Sequence, residues 1–167
     1  GFLCRSILED IGHDHAARAV VVERMSQFRG QRLDVHTQVA ALDIAMDWAR
    51  QRKTFGSHLA DKQAIQWMLA DSEVELRAAR LLVYQAAWNA DLGRDIKVDA
   101  SVAKVYGTET AGRVVDRCIQ ILGGMGVAQE LPLERWYREM RIKRIGEGPS
   151  EVHRMVIARD MLGALRA

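Results

Sequence analysis

The chain has 167 residues, enough to bury a hydrophobic core within one domain. It carries 24 basic and 22 acidic side chains, a balance that excludes a strong overall field attracting nucleic acid or an anionic membrane. Only two prolines occur, helix-favouring residues are abundant and alternating β-branched runs are absent, so the composition predicts an all-α fold. No apolar run reaches transmembrane length, and Cys4 and Cys118 lack metal-type spacing, as expected for reduced thiols in a cytoplasmic protein.

The predicted elements become clear only after the first part of the chain. Residues 1–30 form a poorly assigned N-terminal segment for which we expect a helix. From about Gln31 to Arg52 apolar residues recur every three or four positions, which predicts a helix that Phe55-Gly56-Ser57 ends. The strongest prediction is a helix from about Asp61 to Asp91, with a stripe typical of a bundle seam. The stripe consists of Ile65, Leu69, Ser72, Leu76, Ala79, Val83, Ala86 and Ala90.

Three further helices are predicted in the second half. One runs from about Val98 to Leu122 and has a face of small residues, so we expect its partner helix to lie close. A short helix follows from Pro132 to about Met140, and a last one from about Pro149 to Leu165. Residues 31–167 are therefore predicted to form an antiparallel four-helix bundle with an additional short helix.

The segment Gly146-Glu147-Gly148-Pro149 is the most informative candidate site. The glycines allow a sharp turn with little side-chain bulk, and the proline is suited to the first position of a helix. Glu147 is then expected on a short turn at a helix N-terminus, where its carboxylate can reach a substrate bound in a flat slot. The alternative is that the segment is only a loop between helices.

Three other segments allow two interpretations each. Residues 50–56 pack three cations beside a hydroxyl and Phe55, which suits either a diphosphate clamp or a helix C-terminus. The three glycines in residues 120–126 allow close backbone approach by a ligand, or simply stop a helix. Residues 135–144 interleave five cations with two aromatics, as in a nucleic-acid patch or a solvated or subunit-facing helix. The five histidines do not form a ligand set, so we expect no metal site.

Together these motifs closely resemble the C-terminal helical domain of acyl-CoA dehydrogenases. The resemblance is carried by Arg-Lys-Thr-Phe-Gly, Asp-Lys-Gln-Ala-Ile-Gln, Gln-Ile-Leu-Gly-Gly-Met-Gly, Pro-Leu-Glu-Arg-Trp-Tyr-Arg and Glu-Gly-Pro-Ser-Glu, in that order. It covers roughly Gln31 to the end, and the Gly-Glu-Gly-Pro-Ser-Glu-Val-His variant is most similar to the branch of the larger multidomain members. In the family a full chain also has an N-terminal helical domain and a middle β-domain, so this chain alone is expected to be incomplete for turnover.

The resemblance implies FAD-dependent α,β-dehydrogenation of an acyl-CoA thioester. Glu147 matches the catalytic base that removes the α-proton, while the β-hydrogen leaves as hydride to the flavin. In the family the thioester carbonyl accepts hydrogen bonds from the flavin ribityl hydroxyl and from the backbone N–H of the base, which stabilises an enolate-like charge. The implied cofactor-binding residues are Arg52, Lys53, Thr54, Phe55, Lys62, Gln63, Gln120, Ile121, Leu122, Gly123 and Gly124.

The resemblance also implies partners. In the family residues 52–55 reach the FAD of a neighbouring subunit, so a homodimer or homotetramer is expected, with electron-transferring flavoprotein as a further candidate partner. Neither a membrane nor nucleic acid is expected to be a partner.

The sequence departs from the family pattern in three places. Pro149 replaces a common threonine that bonds to FAD, and Glu151 stands where glutamine is frequent. The family's Asp-x-x-Arg segment, expected near residues 20–30, is not clearly present, so the acyl-CoA contacts stay unassigned.

Two other function classes are alternatives to this interpretation. One alternative is a non-catalytic oligomerisation module or partner subunit that completes a flavin site. The other is DNA association through residues 135–144.

Overall fold

The computed structural model describes residues 35–163. The N-terminal helix expected within residues 1–30 and the Asp-x-x-Arg segment lie outside the described residues. The last helix ends at Met161, earlier than the predicted end at about Leu165. Within the described range the chain is almost entirely helical, as predicted. The helices are α1 Val35–Gln51, α2 Gln63–Asp91, α3 Lys97–Leu122, α4 Leu133–Lys143 and α5 Ser150–Met161.

Helix α3 is the centre of the fold and packs against each of the other four helices. Its predicted small-residue face is buried, including Ala103, Gly107 and Ala111. Further along the helix, Val114, Val115 and Cys118 are completely inaccessible to solvent and form the middle of the core. Small side chains on this face leave room for several helices to pack around one, which explains the central place of α3.

Polar pairs between α2 and α3 fix their antiparallel register. Glu75 accepts hydrogen bonds from Arg113 and Arg117, and Asn89, further along α2, donates to Asp99, earlier on α3. Burial alone would raise the pKa of Glu75, but the two guanidinium groups outweigh it and the pKa of this carboxyl is lowered. The pair therefore remains ionised and holds the two helices in one register.

Between α1 and α2 the chain forms a small hairpin that was not predicted. Strands β1 Lys53–Thr54 and β2 Ser57–His58 pair antiparallel around the two-residue turn Phe55-Gly56. Both turn residues have positive φ, 50° and 80°, as in the type I′ turns that fit two-residue hairpins. A short 3-10 segment, Leu59–Asp61, then leads into α2.

Helix α2 is amphipathic, but its outer face is more apolar than predicted. The inner stripe is buried at Ser72, Leu76, Ala79 and Ala86. On the outer face four large apolar side chains recur every seven residues and are 61–67% exposed: Trp67, Val74, Leu81 and Trp88. We call these four residues the α2 seam. Across residues 35–163 no helix combines the length and apolarity that spanning a membrane requires.

Candidate functional site

Glu147 lies on the turn between α4 and α5, residues 144–149, which we call the Glu147 turn. Its side chain is exposed and takes part in no hydrogen bond or ion pair within the described residues. Its φ is +55°, in the left-handed region that non-glycine residues rarely adopt, at a cost of about 1 kcal/mol. Backbone strain of this kind clusters at functional sites, which makes Glu147, a carboxylate without a partner among residues 35–163, a candidate functional residue.

One buried amine, Lys104 Nζ, forms hydrogen bonds to the main chain of this turn. Lys104 of α3 is only 5% exposed, and its Nζ donates to the carbonyl oxygens of Gly146, Glu147 and Gly148 at 2.8, 3.3 and 3.2 Å. The three carbonyls are consecutive, so three peptide units turn the same face towards one cation. Glu147 therefore sits directly above a fixed positive charge.

A histidine supports the next part of the turn. Ser101 Oγ donates to the Lys97 carbonyl at 2.8 Å, so its single proton is used and it accepts from His153 Nδ1 at 3.1 Å. His153 Nε2 is buried and has no hydrogen-bond partner among the described residues. A Cβ built at Gly148 would lie 2.9 Å from this nitrogen, and Gly148 has φ +95°, so only glycine fits here without strain.

Glu109 fixes both sides of the Glu147 turn to α3. Its carboxylate pairs with Arg154 of α5 at 2.7 Å and with Arg144, at the end of α4, at 3.8 Å. The hydrogen bond from Arg154 is the largest cause of the lowered pKa of Glu109, so this carboxylate stays ionised at neutral pH. The turn is also closed by a backbone bond from Ser150 N to the Arg144 carbonyl at 3.1 Å.

The hairpin at residues 52–58 carries the first group of predicted cofactor residues. Phe55 is at its tip and is 100% exposed, while Thr54 is partly buried. Arg52 and Lys53 are exposed and form no ion pair within the described residues. Lys62 Nζ donates to Ser57 Oγ at 2.8 Å, which ties the start of α2 to the hairpin and brings Lys62 and Gln63 beside it.

The predicted residues at the end of α3 divide into two kinds. Gln120, Gly123 and Gly124 are exposed, whereas the side chains of Ile121 and Leu122 are 3% and 4% exposed and belong to the core. Those two residues can therefore meet a ligand only through their main chain. A Cβ at Gly126 would overlap the backbone of Ile119, so the glycine-rich turn packs tightly on the last turn of α3.

The predicted cofactor segments share one end of the bundle, away from Glu147. The register of the Glu75 and Asn89 pairs puts the start of α2 level with the glycine turn after α3. The Glu147 turn instead contacts Lys104, which precedes Gln120 by 16 positions, about 24 Å along the helix. One chain therefore brings the cofactor segments together but keeps them apart from the carboxylate.

The basic segment at residues 135–144 is partly neutralised. Arg135 pairs with Glu139, and Arg138 pairs with Glu134, each one helical turn away. The pairs leave little excess positive charge in the first half of the segment, which weakens the interpretation as a nucleic-acid patch. Among residues 35–163 no three histidine, cysteine or acidic side chains are grouped to hold a metal ion.

Lys104, whose Nζ donates to the backbone of the proposed site, was not among the residues predicted from the sequence. The chain contained a signal for it, because Lys104 interrupts the small apolar face formed by Ala103, Gly107 and Ala111. A charged residue on a buried face must find polar partners. Its partners are more than 40 residues away, so the sequence pattern could not identify them.

The family model and the similar proteins all indicate the same protein family. The family model described as "Acyl-CoA dehydrogenase, C-terminal domain" matches residues 15–162. The (R)-benzylsuccinyl-CoA dehydrogenase of Thauera aromatica is 44% identical over 122 residues, which are 72% of this chain and 30% of that protein. The mitochondrial short-chain specific acyl-CoA dehydrogenase of Bos taurus is 43% identical over 128 residues, 77% of this chain and 31% of that protein.

Solved structures agree with this match. Butyryl-CoA dehydrogenase from Megasphaera elsdenii superimposes with a TM-score of 0.75 and 38% identity, covering 77% of this chain and 33% of that one. The FAD complex of PigA gives a TM-score of 0.74 with 29% identity, covering 80% of this chain and 34% of that one. The chain thus spans about a third of the length of the relatives it matches. It belongs to the acyl-CoA dehydrogenase family and corresponds to the C-terminal domain of that family.

Proposed function

We propose that the chain provides the catalytic base and part of the cofactor site of an FAD-dependent acyl-CoA dehydrogenase that forms an α,β-double bond in an acyl-CoA thioester. One observation carries the proposal: Glu147 is an exposed carboxylate, without a partner among residues 35–163, on a strained turn whose backbone is fixed by a buried cation. A loop that only connects two helices would gain no stability from a strained backbone at an exposed carboxylate. The match to acyl-CoA dehydrogenases supports the substrate class.

The chemistry expected of Glu147 follows from its surroundings. An unpaired carboxylate can accept a proton, and its lone pairs are not occupied by any group of the described residues. A substrate covering the turn would exclude water from the carboxylate, so that the α-proton is the group placed to reach its lone pairs. The bound flavin would supply the acceptor for the β-hydride. The role of the chain is to hold the base at the α-carbon and to keep competing hydrogen-bond donors away from its lone pairs.

The residues of the 52–58 hairpin fit one half of an FAD. Arg52 and Lys53 are exposed cations without an ion-pair partner in the described part of the chain, which suits binding to diphosphate oxygens. Phe55 offers a fully exposed ring at a strained position, suited to contact with a planar group. Pro149 has neither the hydroxyl nor the N–H of the common threonine, so a cofactor would gain no hydrogen bond from that side chain.

The separation between base and hairpin favours a second copy of the chain. The Glu147 turn contacts Lys104, whereas the start of α2 beside the hairpin is level with the end of α3, about 24 Å further along that helix, so the two are suited to serve different active sites. We propose that each site combines Glu147 of one protomer with the hairpin of another, in a cytoplasmic homo-oligomer. This arrangement agrees with the sequence expectation that residues 52–55 reach a neighbour's cofactor.

The α2 seam is the surface proposed to bind the second copy. Its four residues cover about 30 Å and repeat every seven positions, the spacing with which one helix packs along another. Side-chain size along the seam follows the same order in both directions of the helix: large, smaller, smaller, large (Trp67, Val74, Leu81, Trp88). An antiparallel copy would put tryptophan opposite tryptophan and Val74 opposite Leu81, as a two-fold interface requires.

We expect Trp67→Glu with Trp88→Glu to split the oligomer of the full native polypeptide. Burying each new carboxylate in the interface would remove its hydration, which costs free energy. The dissociation constant of the oligomer should therefore rise by about 100-fold or more. Analytical ultracentrifugation over a concentration series measures this change. Ile142→Glu on α4 is the matched control, because Ile142 is 64% exposed and lies off the seam. An unchanged association state in the double variant would remove the seam from the proposed interface.

The proposed activity is tested on the full native polypeptide. It should purify with bound FAD, show the absorbance of oxidised flavin and lose that absorbance when a saturated acyl-CoA is added without oxygen. A series of acyl-CoA esters then identifies the preferred chain, and electron-transferring flavoprotein can be tested as the acceptor. A colourless oligomer without turnover would contradict the enzyme and favour the oligomerisation module.

A further inference from the structure

Lys104 is the only group of the described residues that contacts all three carbonyls around Glu147. We infer that Lys104 is a positioning residue: its ammonium orients and polarises the peptide between Gly146 and Glu147, so that the Glu147 N–H is presented to the carbonyl oxygen of a bound thioester. The inference rests on the proposed function and assigns to α3 a part in it that lies outside the turn itself.

The hydrogen bonds of Lys104 match its donors one to one. An ammonium has three N–H donors and no acceptor, and here three carbonyl oxygens surround it at 2.8 to 3.3 Å. Burial lowers the pKa of Lys104, while the charge of Glu147 acts to raise it. A nearly buried ammonium is tolerated only when its hydrogen bonds are satisfied, and the turn supplies all of them.

The planar peptide bond connects the carbonyls that face Lys104 with N–H groups on the opposite side of the turn, where the substrate is proposed to bind. In a trans peptide the C=O and the following N–H point in opposite directions, and the described residues contain no cis peptide. With the carbonyls of Gly146 and Glu147 aimed at Lys104, the N–H groups of Glu147 and Gly148 point away from it. Neither N–H is used in any hydrogen bond within residues 35–163. The turn therefore presents two free donors on the side opposite the cation.

These donors are suited to a developing negative charge. An ammonium bonded to the Gly146 oxygen withdraws electron density through the same peptide unit, which makes the Glu147 N–H a stronger donor. A donor held in place before the reaction costs no reorganisation when charge appears on the thioester oxygen. The positive charge behind the turn also favours that negative charge directly.

Anchoring the turn does not require Lys104. Both sides of the turn are already tied to α3 through Glu109, which pairs with Arg144 and Arg154. A backbone bond from Ser150 to Arg144 closes the turn as well. The hydrogen bonds of Lys104 fall only on the residues next to the proposed base. The positioning role therefore predicts changes at the substrate carbonyl that a general loss of stability would not produce.

The test compares Lys104→Met with Lys97→Met in the full native polypeptide. Lys97 begins the same helix, and its side chain is exposed. Methionine keeps the length and apolar volume of Lys104 but removes the donors and the charge. In Lys104→Met we expect kcat to fall by about 100-fold, with a change in KM below about fivefold, because the interaction strengthens in the transition state. Lys97→Met should match the wild type.

A second readout does not depend on turnover. The infrared stretch of a bound, 13C-labelled thioester carbonyl reports the hydrogen bonds that it accepts. We expect Lys104→Met to move this stretch towards its value in free solution, with FAD content unchanged, and Lys104→Arg to restore part of the shift. A folded, flavin-loaded Lys104→Met enzyme with the wild-type stretch and kcat would overturn the inference.

Two further variants separate the possible failures. If Lys104→Met does not fold, Lys104→Gln provides the same measurement because it removes the charge, and a wild-type stretch in this variant overturns the inference. If Glu147→Gln is inactive while the Lys104 variants are fully active, the inference fails and the proposed base stands. If Glu147→Gln retains full activity, the proposed base itself is wrong.

Discussion

Replacing Glu147 with glutamine in the full native polypeptide is expected to lower kcat by about 1000-fold while FAD stays bound. Glutamine has the same shape but cannot accept the α-proton, and a positioned base accounts for about 10²- to 10⁴-fold of rate. The side chain of Glu147 forms no hydrogen bond or ion pair within the described residues, so the substitution breaks none of them. The effect should therefore appear in turnover and not in folding or cofactor content.

The measurement is single-turnover reduction of the flavin by a saturated acyl-CoA, followed by its absorbance. Flavin content and the unfolding midpoint are measured on the same sample. Glu130→Gln is the control, because it changes the same charge on an exposed carboxylate of the loop before α4. Undiminished reduction in Glu147→Gln would assign proton abstraction to a different carboxylate, for instance one nearer the first long helix.

The helices and the Glu147 turn could be predicted because their signals are local. Apolar spacing gave α1 to α5 to within a few residues at each described end, and the glycines around Glu147 indicated a turn. The hairpin of residues 52–58 was missed because its strands have two residues each, too short for any alternating pattern. Phe55 also occupies a positive φ that its residue type argues against.

Long-range features of the site had no comparable signal. The bonds of Lys104 to the Glu147 turn join residues more than 40 positions apart, and the Glu75 pair joins residues 38 and 42 positions apart. The α2 seam was missed for a different reason. A helix that is apolar on two faces reads as a core helix in sequence, and only the packing on α3 shows which face is left to solvent.

Gly148→Ala is expected to destabilise the protein and disable the proposed site together. At φ +95° an L-residue is strained, and the new Cβ would lie 2.9 Å from the buried Nε2 of His153. We expect the free energy of unfolding to fall by about 2 to 3 kcal/mol. Relief of the strain by movement of the turn would shift Glu147 and its N–H, so kcat should fall in whatever fraction remains folded.

Gly146→Ala is the matched control, two residues away in the same turn. Gly146 does not have a positive φ, and the nearest atom to its added Cβ would be the Ile142 carbonyl oxygen at 3.6 Å, an ordinary contact. Its free energy of unfolding should change by no more than about 0.5 kcal/mol. Adding His153→Ala to Gly148→Ala removes the steric contact but leaves the backbone strain. Urea unfolding of the four variants, including His153→Ala alone, gives the interaction energy of the pair. Equal stability of Gly148→Ala and Gly146→Ala would mean that the turn tolerates a side chain after Glu147, and that its backbone is held less firmly than the three bonds of Lys104 imply.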